Sequence, residues 1–497
     1  MLNAVLKGDA RQTGMNAYER GLKLSSGGRH AEAIGCFEQA LAAAPHDTRV
    51  LFALGNTARV LGLARPAEAF FRRVLDAEPQ RLEAVVNLAN LLRAQGQFAA
   101  AEHLLLPALA RIPDSPELWL TLGSLKRETG DQAGAVAHYL KALALRPDYP
   151  QALGNLADLT EDAEAALALY DRAIRAEPNN PQARVNRAML HLTRGDLKAG
   201  WRDYEARKTL AGKIPAATHG LPPWTGGKRN RLLVTAEQGV GDQIMFASLI
   251  PELGPEVVLE CEPRLVPLFA RSFPNAAVHG WDVETRAGVT TARYGWLKRI
   301  GGANMAIEMG SLPRLLRRDL ASFPERHAYL VPDADEVARW RTAFGPAIGI
   351  CWRSSKTGGH RAVQYAPLAA WAAFIRDVPH PIVSAQYDAT PDEIAALEAL
   401  SGRRILVPQG IDQKNELDRA CAMLAALDAV VTAPTAVSWL AAGAGVPVFK
   451  ILYDSSWTSF GETREPFAPS CRCIMPRRAG DWAACFAKTL TMLPSPA

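Results

Sequence analysis

The sequence lacks the features that would tie it to a membrane, a structural metal or a nucleic acid. Its 497 residues contain no stretch of about 20 uninterrupted apolar residues, which is what a membrane-spanning helix needs. Met1 to Arg11 show no apolar core followed by a small-residue cleavage site, so no signal peptide is expected. Cysteine is scarce and scattered: of seven, Cys471 and Cys473 form a lone C-x-C with no second pair to complete a zinc site. Reduced, buried thiols in a cytoplasmic protein are the expectation. No run of Lys and Arg is long, and the net charge of +5 is small. An anionic ligand is permitted, but a nucleic-acid surface is not expected.

What the sequence does have is length and period. With 48% hydrophobic and 22% charged residues it has a globular composition, and 497 residues exceed one hydrophobic core, so two to four domains are expected. Pro45, Pro79, Pro113 and Pro147 each follow the last by 34 residues; Pro178 comes after only 31, so the fifth unit is three residues short. Gly62, Gly96 and Gly130 repeat at the same spacing. So do Leu54, Leu88, Leu122 and Leu156, each followed by a small residue (Gly55, Ala89, Gly123, Ala157), and so do Ala67, Ala101 and Ala135. Small residues inside each helix let two backbones approach, and proline stops the second helix. The pattern resembles the tetratricopeptide repeat over about Met15 to Lys208.

One register is polar. Asn87 and Asn155 precede the Leu-small pair, Thr121 stands between them, and Asn186 follows at the shortened spacing. Side-chain amides can give and take hydrogen bonds with a peptide backbone, so this register is a candidate binding surface for an extended protein segment; a solvated polar face is the alternative. Asn56 and Asn90 sit in another register and read as ordinary surface residues. Trp201 and Tyr204, i and i+3 on the last repeat helix, are placed to cap the solenoid. Residues 210–228, rich in Gly, Pro and Thr, read as a linker.

Beyond it, short apolar runs alternate with helical stretches. Leu232 to Ala236, Val257 to Cys261 and Met305 to Met309 form one series, with helices from near Gln243, Pro263 and Leu312. Ala347 to Trp352, Pro381 to Ala385, Arg404 to Val407, Ala429 to Thr432 and Val446 to Leu452 form another, with helices from Pro367, Pro391, Asn415 and Thr435. The pattern predicts two doubly wound α/β lobes divided near Pro332 to Pro346, with ligands at the carboxyl ends of their strands.

Three loops at such ends carry candidate chemistry. In Glu237-Gln238-Gly239-Val240-Gly241-Asp242 the glycines let backbone N–H groups approach a ligand at a helix start. Asp242 is either a helix cap or a general base for an acceptor hydroxyl. Ile244 stands where a dinucleotide fingerprint has its third glycine, and Glu260, ending the next strand, keeps an NAD reading as a competitor. The second loop runs from Cys351 to Arg361 and gathers Arg353, Ser354, Lys356 and Arg361 around two glycines, a set suited to a phosphate or diphosphate. In the third, Thr435, Ala436 and Ser438 present N–H and hydroxyl groups at a helix N-terminus, a second anion site unless Thr435 is simply a cap. Trp457, in Ser455 to Gly461, is placed to cover a base or sugar, or to pack between lobes.

Together, E-Q-G-x-G-D, the Gly349 to Ser354 run G-I-x-W-R-S, the Thr435-Ala436-Val437 helix start and Gly480-Asp481-Trp482 resemble bacterial tetratricopeptide proteins with a GT-B glycosyltransferase domain. These are relatives of heptosyltransferases and, more remotely, of O-GlcNAc transferase. W-R-S with the Ser456 to Gly461 run S-W-T-x-x-G looks most like their flagellin-modifying branch. The resemblance implies an α solenoid (1–209), the linker (210–228) and two Rossmann-like lobes (229–335 and 336–497), the second holding a nucleotide sugar. It implies a CMP- or UDP-linked donor bound by Gly239, Gly241, Arg353, Ser354, Lys356, Arg361, Thr435, Ala436, Ser438 and Trp457. Asp242 would be the catalytic base, and a flagellin-like acceptor would lie on Asn87, Thr121, Asn155 and Asn186. With no D-x-D at a strand end, metal-independent transfer without a cofactor is expected. Pro434 and Trp439 replace the aspartate and histidine that relatives often carry at the nucleotide helix. That departure motivates the alternative of a non-catalytic adaptor; a UDP-GlcNAc-dependent enzyme acting on many proteins is a further one.

Overall fold

The protein is described here by a computed structural model covering residues 2–210, 216–228, 230–237, 239–286, 289–355 and 364–495. Its chain divides into two compact units, Met1–Ala183 with Thr285–Val289 and Arg184–Glu284 with Thr290–Ala497. Twelve helices come first. They are α1 (Leu2–Ser26), α2 (His30–Ala43), α3 (Thr48–Val60), α4 (Ala64–Ala77), α5 (Leu82–Ala94), α6 (Phe98–Arg111), α7 (Pro116–Glu128), α8 (Gln132–Leu145), α9 (Pro150–Ala157), α10 (Ala163–Ala176), α11 (Pro181–Thr193) and α12 (Leu197–Tyr204).

In the first unit the repeat registers have physical causes. A Cβ added to Gly55 would meet the Phe71 ring at 2.7 Å, and one added to Gly123 would meet the Tyr139 ring at 2.7 Å. Each aromatic therefore lies on the backbone of the preceding helix, with relative exposures of 0% for both rings. Gly62, Gly96 and Gly130 turn each pair with φ of +74°, +73° and +86°, a region that costs other residues about 1–2 kcal/mol. The missing three residues of the fifth repeat are absorbed in α9, which has 8 residues where α7 has 13. Asn56 is not the ordinary surface residue expected: it is half-buried and accepts from Asn87 Nδ2 at 2.8 Å, joining α3 to α5. One repeat pair on, Asn155 Nδ2 donates to Ser124 Oγ at 3.4 Å. Asn90 is exposed, as expected.

The second unit holds two larger, mainly parallel sheets, beside a small three-stranded sheet that includes Ala216–Ala217 and Val289–Ala292. The first comprises β1 (Leu232–Thr235), β2 (Val257–Cys261), β3 (Ala276–Gly280) and β4 (Met305–Glu308), in the order β3-β2-β1-β4. The second comprises β5 (Ile348–Cys351), β6 (Ile382–Ser384), β7 (Ile405–Leu406), β8 (Ala429–Thr432), β9 (Val448–Ile451), β10 (Arg464–Glu465) and β11 (Ala468–Ile474). Its order is β7-β6-β5-β8-β9-β11-β10, and β10 alone runs antiparallel to its neighbour. Strands β1, β2, β5, β8 and β9 are buried along their whole length, which explains their largely apolar runs, broken by Glu260 and Lys450. In both sheets the order reverses beside the first strand, between β1 and β4 and between β5 and β8. The edge strand β3 went unpredicted, because its half-buried Ala276 to Gly280 has no continuous apolar run. The interval near Pro332 to Pro346, expected only to divide the lobes, holds the helix Ala334–Phe344 capped by Asp333.

By contacts, the last helix pair groups with the α/β unit from Arg184 onward. Trp201 packs edge-on against Trp457, Phe460 and Phe467 at centroid distances of 6.3, 5.7 and 6.3 Å. Just after α12, Arg207 forms a buried ion pair with Glu237 (Nη2 to Oε1 2.6 Å) and also donates to Ser311 Oγ at 3.0 Å. The described part of the linker is docked: Trp224 donates its N–H to Ala306 O at 2.7 Å, and Ala306 N–H donates to Pro222 O at 3.0 Å, alongside β4. All seven cysteines are free and buried, and burial pushes the Cys351 and Cys471 thiols up to about 11 and about 12.

Candidate functional site

The strongest convergence of predicted residues lies where two helices of the α/β unit meet. Helix Val240–Ala247 follows β1, and helix Ala436–Gly443 follows β8. Gly241 sits against the second helix's first turn: a Cβ there would be 3.5 Å from Ala436 Cα and 3.5 Å from Trp439 Cδ1. The two helix N-termini, each the positive end of a macrodipole, are therefore brought side by side. Tyr329 fixes the pairing, donating its hydroxyl to Ile244 O at 3.0 Å and its N–H to Gly443 O at 2.8 Å.

Asp242, in the first turn, accepts from Gly239 N–H at 3.3 Å, as a helix-capping carboxylate does. Thr435 occupies the N-cap position of the other helix, yet its side chain caps no backbone N–H. Its hydroxyl instead lies 3.4 Å from Thr432 Oγ1 and 3.6 Å from Cys351 Sγ. Ser438 Oγ donates to Thr435 O at 2.7 Å, so that hydroxyl closes the helix turn. Pro434 is exposed at this corner. Trp439 is buried with the Lys450 ammonium 4.9 Å from its ring, and Lys450 is in turn paired with buried Glu465.

The Arg353 loop is held differently from the expectation. All five N–H donors of the Arg353 guanidinium are engaged by the protein. Nε and Nη2 bind Glu393 at 2.6 Å each, Nη1 binds Asp388 Oδ1 at 2.9 Å and Ser354 O at 3.4 Å, and Nη2 also reaches Asp388 O at 3.1 Å. As arranged, Arg353 has no donor left for a phosphate. Burial opposes ionisation of Glu393, but hydrogen bonds from Arg353, the Thr390 N–H and Trp352 outweigh it and hold the carboxyl at about 2. Gln386, 2% exposed, completes the scaffold: its Oε1 accepts from the N–H groups of Trp352 and Arg353 at 3.0 Å each, and its Nε2 donates to Arg353 O at 2.9 Å. Ser355 N–H is bound by Tyr387 Oη at 2.7 Å. Sequence reasoning missed Gln386, Tyr387, Asp388 and Glu393; the available signal was their place just after β6, another strand's carboxyl end. Lys356 and Arg361 lie outside the described residues.

Of the remaining predicted residues, Gly239 is exposed, and Trp457 packs on Tyr204 at 5.6 Å and on Trp201, which favours the packing alternative. Thr121 donates its hydroxyl to Glu117 O of its own helix at 2.8 Å and is buried, so it adds no free donor to the asparagine register. Asn186 lies on α11 in the second unit, half-buried. Glu237, read only as part of a motif, is the buried partner of Arg207 and also accepts the Gly310 N–H.

Comparison with known proteins agrees with the repeat reading. A tetratricopeptide-repeat family model matches residues 18–81, 86–150 and 152–207, so the N-terminal part consists of these repeats. Protein FlbA of Caulobacter vibrioides is 33% identical over 322 residues, an alignment spanning 62% of this chain and 54% of FlbA. The chain thus spans about half the length of this curated relative. Among solved structures, a thermophilic tetratricopeptide protein of Thermus thermophilus is 27% identical over 36% of this chain and 99% of its own, with a TM-score of 0.33. Yeast Tom70 is 21% identical over 36% of this chain and 40% of its own, with a TM-score of 0.32. No described helix is long and apolar enough to cross a membrane.

Proposed function

We propose that this protein is a GT-B-type protein O-glycosyltransferase. It would move a sugar, a nonulosonic acid by the motif resemblance, from a CMP- or UDP-linked donor to Ser or Thr of a flagellin-like protein held on the repeats. The observation that carries the reading is the meeting of two strand-helix junctions from two parallel sheets at Gly241 and Ala436. In doubly wound sheets ligands bind where the strand order reverses, and both junctions stand at such points. The helix Ala436–Gly443 would neutralise the leaving phosphate with its N-terminal N–H groups, and by the motif resemblance Lys356 and Arg361 would add charge. Asp242, on the opposing helix, would take the proton of the acceptor hydroxyl. Arg353 changes role: it holds the loop through Glu393 and Asp388 and does not touch the donor.

Calorimetric titration with CMP, UDP, GDP and ADP tests this. Saturable binding of CMP or UDP, with turnover lost in Asp242→Asn while binding persists, is expected. A well-folded protein that binds none of the four would sink the transferase reading. It would favour the adaptor reading, which gains its support from the engaged Arg353 and the buried Trp439.

A further inference from the structure

A second site stands at the carboxyl edge of the first sheet, away from the paired helix starts. Glu260, next to last in β2, is 1% exposed. Its Oε2 accepts the Ala236 N–H at 3.0 Å and the Tyr294 hydroxyl at 3.3 Å, while its Oε1 has no hydrogen-bond partner. A buried carboxyl oxygen without a partner costs folding free energy unless something outside the fold satisfies it. Glu260 lines a cavity of about 470 Å³ shared with Thr235, His219, Trp281 and Tyr294. That is room for one or two sugar rings, with aromatic and polar groups sharing the wall. The His219 and Tyr294 rings stand edge-to-face at 5.1 Å.

Charge narrows the ligand. The cationic group on the lining is Lys208, and it is neutralised by Glu308 at 2.6 Å and Glu205 at 3.0 Å. With no unneutralised cation on the described lining, a phosphate or carboxylate would be desolvated beside Glu260 and Glu308 without compensation. Burial also pushes the Glu260 carboxyl up to about 7, so near neutrality it can donate from Oε1 as well as accept. A hydroxyl does both in return.

We infer that this cavity binds a neutral, hydroxyl-rich ring of the monosaccharide class, hydrogen-bonded by the Glu260 carboxyl and flanked by Trp281 and Tyr294. The inference goes beyond the transfer reading and holds whether or not the chain binds a nucleotide. Its test is saturation-transfer NMR and calorimetry on the full chain with glucose, galactose, mannose and N-acetylglucosamine, and with N-acetylneuraminic acid as the anionic comparison. At least one neutral sugar should bind in preference to the acid. Glu260→Ala should weaken it roughly tenfold, and Glu260→Gln, whose amide both donates and accepts, should keep affinity within about threefold. If Glu260→Ala fails to fold, Trp281→Ala at the half-buried lining position should still weaken neutral-sugar binding roughly tenfold, and unchanged affinity there would overturn the assignment. Absence of neutral-sugar binding, a preference for the acid, or affinity indifferent to Glu260→Ala in folded protein would each overturn the assignment.

Discussion

The two sheets of the α/β unit share a strand order, reversing beside their first strand, but differ in how their carboxyl edges treat polar groups. At the second sheet the loop after β5 is tied by a complete network, in which Gln386, Asp388 and Glu393 engage every donor of Arg353. At the first sheet one buried carboxylate, Glu237, is equally well held, by Arg207 and the Gly310 N–H, while the other, Glu260, keeps an oxygen without a partner. The contrast teaches that a buried charge alone marks no function. Glu237 and Arg353 are charged groups held inside the fold, and their partners account for them. What distinguishes Glu260 is the missing partner beside an open volume.

The largest expected effect breaks the satisfied side of the first sheet. Arg207→Ala leaves Glu237 charged and buried without its cation, and should cost about 3–5 kcal/mol, read as a lowered melting transition of the α/β unit. Next comes Glu260. Its folded carboxyl titrates at about 7 against an ordinary value of 4.5, so the folded state binds the extra proton between those values. Stability from this group is intact below pH 4.5, falls as pH rises to 7, and stays reduced above. Glu260→Gln should therefore raise stability by roughly 2–3 kcal/mol at pH 8 and change little at pH 4.5, as urea melts at the two pH values would show. A flat difference across pH would mean that folding leaves the carboxyl's titration unshifted. The smallest effect sharpens the second sheet. Arg353→Lys keeps a charge but not the fork of five donors, and should cost about 1–2 kcal/mol. Nucleotide affinity should stay within about threefold. A larger loss of affinity without a loss of stability would restore Arg353 to the donor site.

The repeats were legible because packing repeats in sequence: every 34 residues a turn glycine and a stopping proline recur, and Gly55 and Gly123 are small because Phe71 and Tyr139 lie on them. The buried strands were legible for a similar reason, since a strand covered on both faces is mostly apolar, Glu260 and Lys450 being exceptions. Edge strand β3 and the docked segment around Trp224 were not, because half-buried chain carries mixed composition. The paired helix starts were only partly readable. Motifs placed Gly241 and Ala436 each at the end of a strand, but nothing local says that loops about two hundred residues apart will touch. The carboxylate partners of Arg353 were not legible, because Asp388 and Glu393 reach it only through the β5–β6 pairing. A cation-rich loop looks the same in sequence whether its charges face a ligand or a neighbouring carboxylate.

The aromatic contacts of Trp201 bear on the order in which the chain can fold. Its partners Trp457, Phe460 and Phe467 are encoded roughly 250 residues later, and at about 5–20 residues per second they emerge some 13–50 s after it. Throughout that interval the final repeat helix has been synthesised but keeps its largest apolar side chain uncovered. Phe460, whose φ of +54° is unusual for a residue with a side chain, joins the cluster only when that interval is nearly over. During translation, then, the last repeat is a holding surface that awaits its own C-terminal sheet.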